Sequence, residues 1–176
     1  EKTKDNILEN LLKRSPNSYG EYEGQVSDII ENVRKNKDAA IFEYSKKFDK
    51  AEIDADNILV SEAEVKEAYE KVDEKLLAVM RKALVNIRSY HEKQKQNSWF
   101  QSETNGAILG QKVTPIEKVG VYVPGGKAVY PSSVLMNVVP AKVAGVEQII
   151  MTTPPGKDGK VNPSTLVAAK EAGVDL

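Results

Sequence analysis

The sequence has no cysteine and a single histidine, His91. Lack of Cys excludes disulfides, iron–sulfur clusters, Cys-based zinc sites and thiol nucleophiles within this chain. One His still permits a Ser-His-Asp arrangement but rules out a His-rich metal site. Net charge is also scarce: 25 Lys+Arg against 26 Asp+Glu leave −1. A near-neutral chain lacks the long-range field that gathers phosphate backbones, so no nucleic-acid partner is expected. No apolar run approaches the roughly 20 residues of a membrane helix, so no membrane partner is expected either. Glu1-Lys2-Thr3-Lys4 leads into no apolar signal core. The absence of both Cys and a signal points to the cytoplasm. The first residue is not Met, which reads as a processed, trimmed or partial chain.

What is present is ordinary for a globular protein: 40% apolar and 29% charged residues in a chain of 176. That length suits one domain, or one domain with an appendage. The composition shifts near residue 100. Residues 1–100 carry 18 of the 25 Lys+Arg and 20 of the 26 Asp+Glu, but only 2 of 11 Gly and 1 of 8 Pro. Charges coat exposed helical faces, whereas Gly and Pro gather where the backbone turns sharply. We therefore divide the chain into a helical region, 1–97, and a β-hairpin plus partial Rossmann-like domain, 98–176.

Helical spacing recurs through the first region. Ile7, Leu8, Leu11 and Leu12 form one stripe, ended before Ser15-Pro16 because the residue before proline avoids the helical region. Val26, Ile29, Ile30 and Val33 form a second; Ala40, Ile41, Tyr44 and Phe48 a third. Ile58-Leu59-Val60 reads as a short strand or an extended link. Ser61-x-x-Glu64 is a capping box. The longest helix is expected from about Asp73 to Gln96, with Leu77, Met80, Leu84 and Ile87 on its apolar side, continued by Tyr90 or His91.

The second region opens with a hairpin over about residues 98–114, turned at Asn105-Gly106. Val119–Val123 is a strand and Pro124-Gly125-Gly126 a turn. A helix from Pro131 is closed by Gly145, with a kink or early break expected at Pro140. Gln148–Met151 is the next strand. Asn162 caps a further helix that starts at Pro163 and ends at Gly173. Val174-Asp175-Leu176 reads as the start of a third strand. The expected fold is α/β: helices followed by a partial Rossmann-like βαβαβ parallel sheet, truncated at its third strand. Such sheets bind ligands beyond the carboxyl ends of their strands, where the Pro124–Gly126 and Thr153–Gly159 loops lie.

Few residues signal chemistry on their own. The two glycines after the Val119 strand would let a backbone approach a ligand, and Tyr122 could stack on a flat ring. The segment is not G-x-G-x-x-G, and a plain strand-to-helix turn accounts for the same residues. Ser132-Ser133 could face an anion, though helix capping is the simpler role. Thr152–Lys157 resembles a phosphate loop only loosely and reads as an exposed turn. His91 reads as structural or surface. Lys46-Lys47 and Lys93-x-Lys95 read as solvated helix faces.

Several segments resemble the histidinol dehydrogenase family. They are V-G-V-Y-V-P-G-G (Val119–Gly126), Y-P-S-S-V-L-M-N-V-V-P-A-K-V-A-G (Tyr130–Gly145) and M-T-T-P-P-G-K-D-G (Met151–Gly159). Upstream, Val33–Asp49, Asn86–Gln94 and Leu109–Gln111 fit in the same order. One departure is Asn36-Lys37, where the family more usually has a Gly before the acidic residue. The resemblance implies an oxidoreductase of histidine biosynthesis: an NAD-dependent, zinc-containing homodimer that converts L-histidinol through histidinaldehyde to L-histidine. It implies NAD contact by Tyr122, adjoined by Pro124, Gly125 and Gly126. The family's zinc ligands and its acid–base Glu-His pair match no position here, so no catalytic or metal residue carries over. The expectation is a catalytically incomplete N-terminal portion. Alternatives are a stand-alone Rossmann-like binding or regulatory module, and a helical oligomerisation segment on a half-built sheet.

Overall fold

The computed structural model describes residues 20–125 and 128–175. The stripe at Ile7–Leu12, Gly126 and Leu176 lie outside the described residues. Helix α1 (Gly20–Asn36) and α2 (Asp38–Tyr44) carry the second and third apolar stripes, and α2 runs into a π-helical turn, Ser45–Asp49. Ile58–Val60 is a non-strand link. Helix α3 (Glu62–Lys71) begins with the expected capping box: the Ser61 side chain accepts from the Glu64 N–H, and Glu64 Oε2 accepts from the Ser61 N–H at 2.8 Å. Helix α4 (Glu74–Glu92) is capped by Asp73 and ends four residues short of the expected Gln96.

Strands β1 (Trp99–Ser102) and β2 (Ile108–Gln111) pair antiparallel, Phe100 opposite Gly110. Their connection is longer than a two-residue turn. Glu103 N–H donates to Ala107 O at 2.8 Å, and only Gly106 adopts positive φ, +85°. Asn105 instead accepts the Ala107 N–H on its side chain at 2.9 Å, so Asn contributes an Asx turn rather than a left-handed backbone.

Strand β3 (Lys118–Tyr122) and β4 (Gln148–Thr152) pair parallel, from Lys118↔Gln148 to Tyr122↔Thr152. The crossover between them is α5 (Pro131–Ala144). A final helix, α6 (Pro163–Ala172), follows β4. Asn162 caps α6, and Gly145 and Gly173 close α5 and α6 in the left-handed conformation.

Two expectations need correction. Helix α5 runs unbroken through Pro140. The proline leaves the Met136 carbonyl without its helical donor, and Met136 lies on an exposed face where water can serve it. Ser132 and Ser133 do not cap α5: Tyr130 is the N-cap and makes no side-chain cap bond. The third strand is present only as its first contact, since Val174 and Asp175 are not in a strand. Asp175 N–H donates to Ile149 O at 3.0 Å, and Asp175 Oδ2 accepts from Ile149 N–H at 2.8 Å. The chain has therefore begun to follow the outer edge of β4.

One apolar core joins these parts. Val121, Val123 and Ile149 of the sheet region pack with Val134, Leu135, Val138 and Val139 of α5 and Val167 of α6. Ala68 of α3 and Met80 of α4 belong to the same cluster. Helix α5 is apolar nearly all round because it lies between the sheet and α4 and α6. The expected α4 stripe holds as far as Ile87: Met80 is buried, and Leu77, Leu84 and Ile87 pack against the core, but Tyr90 is 63% exposed and does not continue it. Among the described residues, the covering helices lie on one side of β3–β4. On the other side Gly120, Tyr122 and Ile150 are open or exposed.

Candidate nucleotide-binding site

Beyond the carboxyl ends of β3 and β4 lies a cleft of about 290 Å³. Its walls come from the loops after both strands and from the start of α6. Gly125 stands closest to the second loop. A Cβ there would lie 3.2 Å from Pro154 O and 3.3 Å from Thr153 Oγ1, tight contacts that a side chain could make only if the second loop gave way slightly. Thr165, 5% exposed, lies among the lining residues, and Lys71 and Lys160 contribute to the rim. Glu67 sits between these two lysines, 3.7 Å from Lys160 Nζ and hydrogen-bonded to Lys71. The Lys71 hydrogen bond, with the charge of Lys160 next, holds the Glu67 carboxyl below the usual carboxylate range.

The candidates from sequence fall in different places. Gly125 lines the cleft; Thr153, Pro154 and Gly156 join it, so the Thr152–Lys157 segment is part of a concave site as well as a surface turn. Tyr122 ends β3 with its side chain 62% exposed, on the face opposite buried Val121 and Val123. It borders the carboxyl end of the sheet without lining the cleft. Pro124 begins the loop that carries Gly125. His91 Nδ1 lies 2.7 Å from Gln94 Oε1, with its ring edge-on to Tyr90, which is a local arrangement at the end of α4. Lys46 pairs with Glu52 at 3.1 Å in solvent, as a helix-face lysine would.

Sequence reasoning missed the residues that reach the cleft from afar. Lys71 arrives from α3, and nothing in its local pattern marks it. A second such group fixes the helices behind the cleft. Arg81 of α4 donates two hydrogen bonds to Glu171 of α6, both 2.8 Å, and Tyr69 Oη of α3 donates to the same carboxylate at 2.8 Å. Arg81 keeps the Glu171 carboxyl below its ordinary value. Burial, then the bond to Glu171, pushes the Tyr69 hydroxyl up to about 12.

Zinc does not fit here. Among the described residues no three His, Cys, Asp or Glu side chains cluster as a metal site. What the geometry offers is a glycine-narrowed cleft at the carboxyl ends of parallel strands, with a helix starting at its wall, the place where open α/β sheets take their ligands.

Fold and cleft together define a partial Rossmann-like α/β domain. The histidinol dehydrogenase family model matches residues 12–176, and the chain belongs to that family. It is 55% identical over 167 residues to histidinol dehydrogenase from Heliobacterium mobile, covering 95% of this chain and 39% of that protein. It is 54% identical to the Bacillus subtilis protein, covering 93% and 38%. A crystal structure of histidinol dehydrogenase from Elizabethkingia anophelis superimposes with a TM-score of 0.81 at 36% identity, covering 87% of this chain and 35% of that one. The chain thus spans about two fifths of the length of the curated relatives it matches.

Proposed function

We propose that this chain supplies the nucleotide side of an NAD-dependent L-histidinol dehydrogenase. In that reaction L-histidinol is oxidised through histidinaldehyde to L-histidine. The reading is supported above all by one observation: in a chain of this family, the Pro124–Gly125 loop and the Thr153–Gly156 loop meet over a cleft at the carboxyl ends of two parallel strands.

Bound NAD would accept the hydride; the chain's own residues would bind and orient it. Gly125 lets backbone approach the dinucleotide closely, and Pro124 stiffens the loop that presents it. Tyr122 offers an exposed ring at the mouth of the sheet for a flat heterocycle. Gly126 joins this set on its motif alone. The zinc ligands and the acid–base Glu-His pair belong, in this reading, to sequence this chain does not contain. We infer that the working enzyme is a cytoplasmic homodimer and that these 176 residues alone do not turn over histidinol.

The test is calorimetric titration of the chain with NAD, beside an assay of NAD reduction with histidinol. Binding without turnover is expected, with Tyr122→Ala weakening NAD by about tenfold, the scale of a lost base–aromatic stack. Turnover by this chain would overturn the claim of incompleteness. No detectable NAD binding would overturn the nucleotide assignment.

A further inference from the structure

We propose that Asn105 is a site of spontaneous covalent modification, at which the hairpin turn deamidates itself to aspartate and isoaspartate and so loosens the hairpin. Of the chain's asparagines only Asn105 precedes a glycine. Both residues are exposed, so water and hydroxide reach them. Chain neighbours apart, no heavy atom lies within 4 Å of the point where a Cβ of Gly106 would stand. Nothing therefore obstructs the Gly106 nitrogen as it turns toward the Asn105 side chain. The other asparagines are held back. Asn162 is followed by Pro163, which has no N–H to lose. Asn57 has both amide atoms engaged, Oδ1 with the Asp54 N–H at 2.8 Å and Nδ2 with Glu52 O at 3.0 Å. Asn137 lies inside α5 and donates to Ser133 O at 2.7 Å.

The step balances with water and hydroxide alone. The Gly106 N–H leaves Glu103 O, to which it donates at 3.0 Å, an exposed turn bond that water replaces readily. It loses its proton to hydroxide, and the nitrogen attacks Asn105 Cγ. Negative charge moves onto Oδ1, which already accepts the Ala107 N–H at 2.9 Å and is stabilised by it. The new C–N bond closes a succinimide ring, and the Cγ–Nδ2 bond breaks to release ammonia. Water then adds to either ring carbonyl, leaving aspartate or isoaspartate. Isoaspartate carries the backbone through its Cβ and so lengthens the turn by one atom. The bond that closes this turn, Glu103 N–H to Ala107 O, spans that atom. The new carboxylate also stands in the turn that holds Glu103, and like charges repel. Strand β1 packs chiefly on β2, so the ladder should loosen without disturbing the core.

The test ages the chain at neutral and mildly alkaline pH and follows tryptic peptide 96–112, which holds both Asn97 and Asn105. Tandem mass spectrometry assigns the amide-to-acid change to one or the other. A protease that cuts before aspartate but not before isoaspartate separates the products. Asn105 should react at least about tenfold faster than Asn97, a barrier lower by about 1.4 kcal/mol, and faster still as hydroxide rises. An Asn105 amide that outlasts or merely matches that of Asn97 would overturn the site. Amide exchange in residues 99–111 should speed up in the aged chain and hold steady in α5 and α6. Aged Asn105→Gln should keep the exchange of the fresh variant. Equal loosening on ageing in Asn105→Gln would overturn the link between the modification and the hairpin.

Discussion

The sheet-and-helix unit and the hairpin are similarly rich in large apolar residues, yet they treat them in opposite ways. In the first, Val123, Val134, Val138, Val139, Ile149 and Val167 are fully buried. In the second, Trp99, Phe100, Ile108 and Leu109 are each more than half exposed. Strand alternation places Trp99 with Leu109 on one hairpin face and Phe100 with Ile108 on the other. Neither face is therefore a solvent face by composition. Helices α1 and α2 behave like the hairpin, with Val26, Ile30 and Ile41 exposed along their stripes. Apolar periodicity thus announces an element and its sticky face. It does not say whether the same stretch of chain supplies the cover.

The sharpest way to break this comparison is to truncate one residue from each region. Leu135→Ala should destabilise the chain by about 2–5 kcal/mol, the cost of lost burial plus a residual cavity. Ile108→Ala, at a residue 70% exposed, should stay within about 0.5 kcal/mol. Urea denaturation of both variants checks it. Equal losses would mean that the hairpin is covered in solution and that the contrast is false.

How much of this was legible depends on range. Ser61 with Glu64, Asn162 with Pro163, and the closing glycines Gly145 and Gly173 act on backbone groups within a turn, and their sequence spacing located them correctly. Gly125 was legible as a close-approach residue because it follows a strand. Of the kink or early break expected at Pro140, the break does not occur: α5 continues to Ala144, and its burial in the core outweighs the one helical bond the proline removes. The Tyr69–Arg81–Glu171 clamp was invisible: its members are separated by 90 and 102 positions, and only the packed α3, α4 and α6 bring them together. Lys71 at the cleft is hidden for the same reason.

That clamp gives the next largest effect and a pH signature. Glu171→Gln should cost about 1.5–3 kcal/mol, because it weakens charged hydrogen bonds from Arg81 and Tyr69 at a mostly buried carboxylate. The lowered Glu171 pKa means that the folded state binds its proton less readily than the unfolded state. Its contribution is present above about 4.5, the ordinary value, and is lost as pH falls through the lowered one. Tyr69 has the opposite sign. Its stabilisation is complete below the ordinary 10 and is lost as pH rises toward about 12. Melting temperature should therefore fall at both ends. Tyr69→Phe should flatten the alkaline arm, and Glu171→Gln should flatten part of the acid arm, where Asp175 also contributes. An alkaline arm unchanged in Tyr69→Phe would detach the tyrosine from the stability of the core.

A smaller effect than the clamp's, and of opposite sign, concerns a residue that belongs to the exposed region alone. Lys37 caps α2 at φ 53° and ψ −131°, a region of the map that a side chain crowds and glycine enters freely. The chain bends there because α1 must end and α2 begin with no intervening loop: Lys37 N–H closes α1 on Val33 O at 2.8 Å, and Ala40 N–H opens α2 on Lys37 O at 3.1 Å. Lys37→Gly should then stabilise the α1–α2 junction by about 1 kcal/mol, against the usual sense of a glycine substitution. Because α1 and α2 share little with the buried unit, amide exchange should slow in residues 20–44 and hold steady in α5 and α6. Slowing throughout would mean that the two regions unfold together, and that the division between a self-covered unit and an uncovered one does not extend to their stability.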